Sequence, residues 1–271
     1  MFRLVSKGVL CISCIFAGVS GAQAQDAAPP PKATPPAQPE DTSPQLSAPD
    51  PDRWWFEVEP YVWIPAVSTE NEIGDIEGDT DADATDILDI LKGALMLHAE
   101  AHKGSWGLFT DFIWVRVADD NDIGATGEVE IELNLSLFEL GGYYRFGKKK
   151  WALDTLIGLR AAYVTDDLDI TGTALGDASS DNHTAWIEPM FGARFGYQFT
   201  PKFSTVIRGD ASGFGVGSEL TWNASLDMRY RFTKLFALTF GYRHMFLDYE
   251  VGNTEIKLTF DGPVIGALFT F

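Results

Sequence analysis

Three groups of side chains in this sequence have the types and spacing that chemistry requires. His98, Glu100 and His102 fall on alternate residues, so on a strand they share one face, where imidazole and carboxylate could ligate a metal ion. Three ligands on one strand lie nearly in a line, however, and a second strand would have to complete the geometry. The spacing therefore reads better as an inward polar stripe. Ser179, Ser180, Asp181 and His183 supply the residue types of a nucleophile, an acid and a base. They fall in a flexible, Gly-rich stretch, and we expect loop residues with no catalytic role. The third group is an acidic run of Glu70, Glu72, Asp75, Glu77, Asp79, Asp81, Asp83, Asp86 and Asp89. Asp79, Asp81 and Asp83 have the spacing that opens an EF-hand, but Ala84 stands where the loop needs glycine and Ile90 where it needs glutamate. The run is expected to be a solvated loop, with a weak divalent cation as its one inorganic partner; no resident metal or cofactor is implied.

Which face each group shares depends on the elements that carry it. From about residue 53 to residue 271 apolar and polar side chains alternate with a period of two, broken by short basic turns and longer acidic stretches. We read ten strands, over 54–66, 93–102, 105–117, 128–145, 151–165, 184–199, 202–214, 219–232, 235–249 and 255–271. Most exceed a typical soluble strand and reach the roughly 9 to 11 residues that a tilted membrane strand needs. In the eighth, Trp222, Ala224, Leu226, Met228, Tyr230 and Phe232 share one face, while Thr221, Asn223, Ser225, Asp227, Arg229 and Arg231 share the other. So oily a face opposite so many charges inverts the usual arrangement and puts the oil outside. Trp54, Trp55, Tyr61, Trp63, Trp106, Trp114, Tyr143, Tyr144 and Trp151 fall where strands would cross the two membrane interfaces, the zone amphipathic rings favour. In the last strand Ile256, Leu258 and Phe260 have opposite parity to Ile265, Phe269 and Phe271. That predicts a β-bulge at Gly262-Pro263, where proline cannot donate to the ladder.

The fold these features predict is all-β: a single closed antiparallel up-and-down transmembrane β-barrel of about ten strands, between eight and twelve. Projected inward, the alternation gives a lumen charge network of Glu57, Glu59, Glu100, Asp111, Asp154, Arg160, Glu188, Arg194, Arg208, Asp210, Asp227, Arg229 and Arg243, with His98 and His102. A bore of about ten strands is little wider than its own side chains can fill. The network is therefore expected to plug the barrel, or to line a narrow gated passage. Connections on one side are tight and basic, at Lys103, Lys148 to Lys150, Lys202 and Lys234; on the other they are long and acidic, over 67–92, 119–122 and 166–181. An even strand number puts both termini on the short-turn side, the periplasm, and the acidic loops outside. In the first loop Thr85 is expected to cap a short helix, through Leu91, that packs on the barrel rim.

The two ends of the chain fit that address. Residues 1–24, with Arg3, Lys7, an apolar run over 9–19 and small residues at Ala22 and Ala24, read as a Sec signal peptide. Cys11 and Cys14 fall inside it, so no disulfide and no lipid anchor are expected. Residues 25–52 hold nine of the fourteen prolines and almost no large apolar residue, the composition of a disordered periplasmic segment. The barrel domain is then 53–271. A formal charge of −19, or −21 once Arg3 and Lys7 leave with the signal, excludes nucleic acid as a partner. At the other end Ile265, Ala267, Phe269 and Phe271 alternate around Gly266. This ending resembles the assembly signal of Gram-negative outer-membrane β-barrels, which implies the barrel-assembly machinery as a partner beside outer-membrane lipid and lipopolysaccharide.

Longer stretches extend the likeness. Glu59-Pro60-Tyr61-Val62-Trp63-Ile64-Pro65-Ala66, Gly104-Ser105-Trp106-Gly107-Leu108-Phe109-Thr110-Asp111, Gly209-Asp210-Ala211-Ser212-Gly213-Phe214-Gly215-Val216-Gly217-Ser218 with Thr221-Trp222, and Phe240-Gly241-Tyr242-Arg243 resemble an uncharacterised family of proteobacterial, rhizobial-type outer-membrane β-barrel proteins. The resemblance implies a fold and a compartment, the Gram-negative outer membrane, and supplies no catalytic residues. The expected role is structural or that of a narrow, porin-like channel for small solutes, and not enzymatic. The alternatives are an enzyme modifying lipid A or phospholipid, and a surface adhesion or recognition barrel.

Overall fold

A computed structural model describes residues 53–73, 76–123, 127–148, 150–171, 178–251 and 254–271; the expected signal peptide and proline-rich segment lie outside them. Twelve strands and one helix follow in chain order: β1 (Trp54–Trp63), β2 (Ala66–Ile73), β3 (Ile76–Ala82), α1 (Ala84–Ile90), β4 (Leu91–Lys103), β5 (Trp106–Ile123), β6 (Gly127–Lys148), β7 (Trp151–Thr171), β8 (Ala178–Gln198), β9 (Phe203–Val216), β10 (Ser218–Arg231), β11 (Phe236–Val251) and β12 (Thr254–Thr270). Ten of them, β1 and β4 to β12, form an antiparallel ring in which each pairs with the next and β12 returns to β1. The closing seam runs from Glu57 opposite Thr270 to Trp63 opposite Val264. At its end Phe271 and Phe56 exchange both backbone hydrogen bonds, at 2.9 and 3.3 Å. Closure of this kind lets a sheet cross lipid without a row of orphaned N–H and C=O groups.

The ten ring strands are the ten read from the sequence, but the acidic connections between them are largely strand. β5 to β8 contain 18, 22, 21 and 21 residues. Since about 9 to 11 residues cross a bilayer, close to half of each stands beyond it. The stretch 67–92 likewise holds β2, β3 and α1 in place of a loop. β2 prolongs β1 past Ile64 and Pro65 and stays in register on β12, with Ala66 opposite Asp261 and Ile73 opposite Thr254; β3 folds back on β2.

Two expectations are corrected here. β12 pairs with β11 without a register shift, Gly262 facing Arg243 and Pro263 facing Tyr242, so the bulge at Gly262-Pro263 is absent. Pro263 accepts from the Ile64 N–H at 3.2 Å. Its missing donor therefore falls on the same edge, in the gap between β1 and β2, where the ladder is already interrupted. The parity change in β12 has another cause, described below. The helix is capped by Asp83, not Thr85: the Asp83 N–H donates to the Asp86 carboxylate at 3.0 Å, the reciprocal half of a capping box. α1 stands beside β2 and β5 with none of its residues buried.

One junction is short by design of its backbone. Gly213, Phe214, Gly215 and Gly217 have φ of +93°, +58°, +77° and +88°. This left-handed run turns the chain tightly between β9 and β10, each only 14 residues long.

Candidate functional site: a filled bore

The strands change character half-way up. On the short-turn half of β6, Phe138, Leu140, Tyr144 and Phe146 face outward, and Glu139, Tyr143 and Arg145 inward. On its long-loop half Glu130, Glu132 and Asn134 face outward, and Leu135 and Leu137 inward. On β7 the outward series Ile157, Leu159, Tyr163 gives way to Thr165, Asp167 and Asp169. β12 does the same, which is why its apolar residues switch parity: Ile265 and Phe269 are outward, Leu258 and Phe260 inward. The lower half has lipid's oil outside, and the upper half keeps its oil inside as a soluble protein does.

Where the halves meet, Tyr61, Trp63, Met96, Ile113, Leu137, Ala162, Met245 and Val264 form one buried apolar cluster across the bore. They come from β1, β4, β5, β6, β7, β11 and β12, and Trp186 of β8 packs against them. Phe260 tilts on Trp63 with ring centroids 6.1 Å apart. Beyond it Trp186 stacks on Tyr249 at 4.7 Å, joining β8 to β11 past the short β9 to β10 turn.

Below that layer the interior is filled by groups of ion pairs. Arg194 on β8 reaches Glu100 on β4, nearly opposite in the ring, through both terminal nitrogens, and donates from Nε to Asp154 at 3.0 Å. Asp154 also takes a bidentate pair from Arg145, at 2.7 and 2.8 Å. Glu100 accepts from Tyr143 Oη at 3.1 Å. His98 bonds Glu100 through Nε2 and Asp111 through Nδ1, both at 3.0 Å, and Tyr61 Oη donates to Asp111 at 2.7 Å. Higher on the same wall Arg160 donates to Glu139 at 2.7 Å, to Asp210 at 2.6 Å and to Ser212 Oγ at 2.6 Å. Arg208 meets Glu139 and Asp210 at 2.7 and 2.8 Å. Glu188 accepts from Ser212, Ser218 and Trp186 at 2.5, 2.5 and 3.2 Å. Charge-assisted, often forked contacts of this kind hold a narrow bore closed.

The remaining lumen candidates sit lower or looser. Arg229 lies 3.6 Å from Glu59 and 3.9 Å from Glu57, and Asp227 accepts from Ser225 Oγ at 3.4 Å. Arg243 rests over Tyr61 and Trp63 at 5.3 and 5.4 Å and donates to Tyr61 Oη at 3.2 Å. A cavity of about 50 Å3 remains among them. His102 is set apart from His98, stacked on Trp55 at 6.4 Å. His183 is exposed, and among the described residues no hydrogen bond joins it to Ser179, Ser180 or Asp181. Nor do three His, Cys, Asp or Glu side chains converge as a metal centre requires, among those residues. Of the closing-strand residues, Gly266 faces inward beside Glu59, Phe269 packs outward on Phe236 at 5.5 Å, and Phe271 is exposed.

Reasoning from the sequence missed Glu139 and Arg145. Glu139 follows an inward leucine row and is flanked by Phe138 and Leu140, so alternation is invisible there. Arg145 adjoins a lysine-rich turn and reads as part of it. The upper rim has its own electrostatics, on the outward face. Hydrogen bonds from Arg116, at 2.6 Å, and from Asn134 hold the Glu132 carboxyl below its usual range. Asp167 is pushed the other way, by partial desolvation and then by Asp181, Glu132 and Asp166.

Tyr61, Trp63 and Tyr143, expected at the membrane interfaces, are buried in the bore. A closed antiparallel ring with an apolar outer belt and a polar filled interior defines a transmembrane β-barrel of the outer-membrane type. Among solved structures the chain is similar to the outer membrane protease OmpT of Escherichia coli, with a TM-score of 0.51 and 10% identity over 82% of this chain and 97% of that one. It also aligns with Ail, the attachment invasion locus protein of Yersinia pestis, over 80% of this chain and 98% of that one, at a TM-score of 0.34 and 8% identity. For Neisserial surface protein A the values are 80% and 97%, 0.32 and 10%. At such identities the likeness is one of fold. No family model and no curated protein matches the sequence.

Proposed function

We propose that this chain is a sealed structural barrel of the Gram-negative outer membrane, non-catalytic, with both termini and its lysine-bearing turns in the periplasm and its acidic upper half at the cell surface. The observation that carries this reading is the apolar layer of Tyr61, Trp63, Met96, Ile113, Leu137, Ala162, Met245 and Val264 lying across the bore above the ion-pair network. A hydrated solute would have to displace both, and an ion entering the layer would lose its water with no replacement. Residues 25–52 then serve as a periplasmic tether. A narrow gated channel is the second reading, favoured by the cavity beside Arg243 and Arg229, whose Nε groups have no acceptor. Planar-bilayer recording separates the two. The sealed barrel leaves the bilayer silent, and paired Arg194→Ala and Arg208→Ala substitutions produce at most a leak. Discrete steps from the unaltered protein would overturn the reading.

A further inference from the structure

On the outer wall, beside the turn from β4 to β5, a groove of about 440 Å3 runs between Trp54, Trp106, Leu108, Tyr144 and Ile157. Its floor is low because the outward residues there are Ala101 and Gly142. Trp106 meets Tyr144 edge-on at 4.8 Å, and Thr155 Oγ donates to the Tyr144 carbonyl at 3.4 Å, which fixes the walls. At the short-turn end stands exposed Lys103, without an ion-pair partner among the described residues.

Apolar walls along a trough open to lipid select a methylene chain, and a cation at the interfacial end selects an anionic headgroup over a neutral one. Trp54 and Trp106 lie at headgroup depth, where indole N–H groups find polar partners. Both rings are exposed, at 52% and 69%, and line the trough as apolar walls between which a flexible chain can pack. We propose that the groove holds one acyl chain of an anionic glycerophospholipid whose phosphate sits on Lys103. The inference rests on the short-turn end being periplasmic, which places the groove in the phospholipid leaflet; it is independent of whether the bore conducts.

Native mass spectrometry of the full chain, released from outer membranes into mild detergent, tests it with added dioleoyl phosphatidylglycerol and dioleoyl phosphatidylcholine. One phosphatidylglycerol should stay bound at collision energies that strip phosphatidylcholine. Lys103→Gln should weaken its retention about fivefold, the weight of one lysine at an anionic surface. Gly142→Leu should abolish it by filling the trough; a Cβ there meets Gly107 O and Leu108 at 3.5 and 3.6 Å, ordinary contact that leaves the fold intact. Gly209→Leu, on β9 with open space around it, should change nothing. Heat-modifiable migration confirms that each variant is folded, with Ala101→Leu replacing Gly142→Leu if that one is not. Equal retention of the two lipids, indifference to the filled groove, or a dimer without lipid would each overturn the proposal. A silent bilayer with no selective lipid would sink this inference and leave the sealed bore standing; a conducting barrel that keeps the lipid would do the reverse.

Discussion

Leu137 and Glu139 stand two residues apart on the same face of β6, and they belong to different worlds. Glu139 binds two arginines inside a belt surrounded by lipid; Leu137 lies in an apolar cluster where the wall begins to meet water. In the lower half the outer solvent is apolar, so the charges the strands carry within the belt go inward and must be matched there, at a desolvation cost that close, often forked pairing offsets. In the upper half water takes the charges, and the inward face is free to gain from the hydrophobic effect. One strand thus obeys two rules, and the crossover marks the membrane boundary without reference to any lipid molecule.

The contrast can be broken most severely at Glu139. Glu139→Ala leaves Arg160 and Arg208 to share the single Asp210 carboxylate in the bore and should cost about 3–5 kcal/mol, seen as a lower urea midpoint in liposomes. Glu132→Ala, which removes the exposed partner of Arg116, should leave that midpoint nearly unchanged; equal losses would mean that the two halves do not differ. Next comes the plug itself, where Leu137→Ala removes about 2–5 kcal/mol by leaving a cavity and should admit a small leak current. An arginine moved along the outer face of β7 then locates the boundary. Ile157→Arg should cost about 2–4 kcal/mol, and Thr165→Arg next to nothing, with the step between them giving the depth of the belt. The smallest effect is at Asp167. Its raised carboxyl holds a proton more tightly in the folded chain than in the unfolded one. The repulsion it feels is therefore present at neutral pH and relieved as the pH falls through its folded value. Asp167→Asn should raise the midpoint slightly at neutral pH and abolish that gain on acidification, while Glu132, held low by Arg116, works in the opposite sense.

Much of the ring was legible in the sequence because period-two alternation and strand length depend on local side-chain order alone. The ten ring strands follow from it, and so does the inward direction of Arg194 and Asp210. What could not be read was where water replaces lipid. The acidic stretches read as loops because strands with charge outward and oil inward, such as Leu135 beside Asn134 and Glu132, look like the opposite face of the same pattern. The parity change in β12 suggested a bulge for the same reason: Phe260 and Ile265 obey one register under two solvents. Which carboxylate meets which arginine was equally hidden. Glu100 and Arg194 face each other across the ring, and a one-dimensional pattern carries no information about the opposite wall. The Gly-Asp to Gly-Ser stretch carried a family resemblance in the sequence and no structural role. The structure gives it a job, since Ser212 and Ser218 from either side of the left-handed run anchor the turn to Glu188.

The pair of backbone bonds between Phe56 and Phe271 has a consequence for how the molecule comes into being. The contact that seals the ring joins β1 to β12, the ring strand furthest from it in sequence, so it carries the largest loop-closure cost of the ring pairings. Until then β1 and β11 each present a bare edge able to capture a strand from any neighbour. A ribosome that stops short of β12 releases a sticky, open ribbon instead of a slightly smaller barrel. The last ring strand therefore works as a completeness test: only a chain that has been read through β12 can hide its own edges.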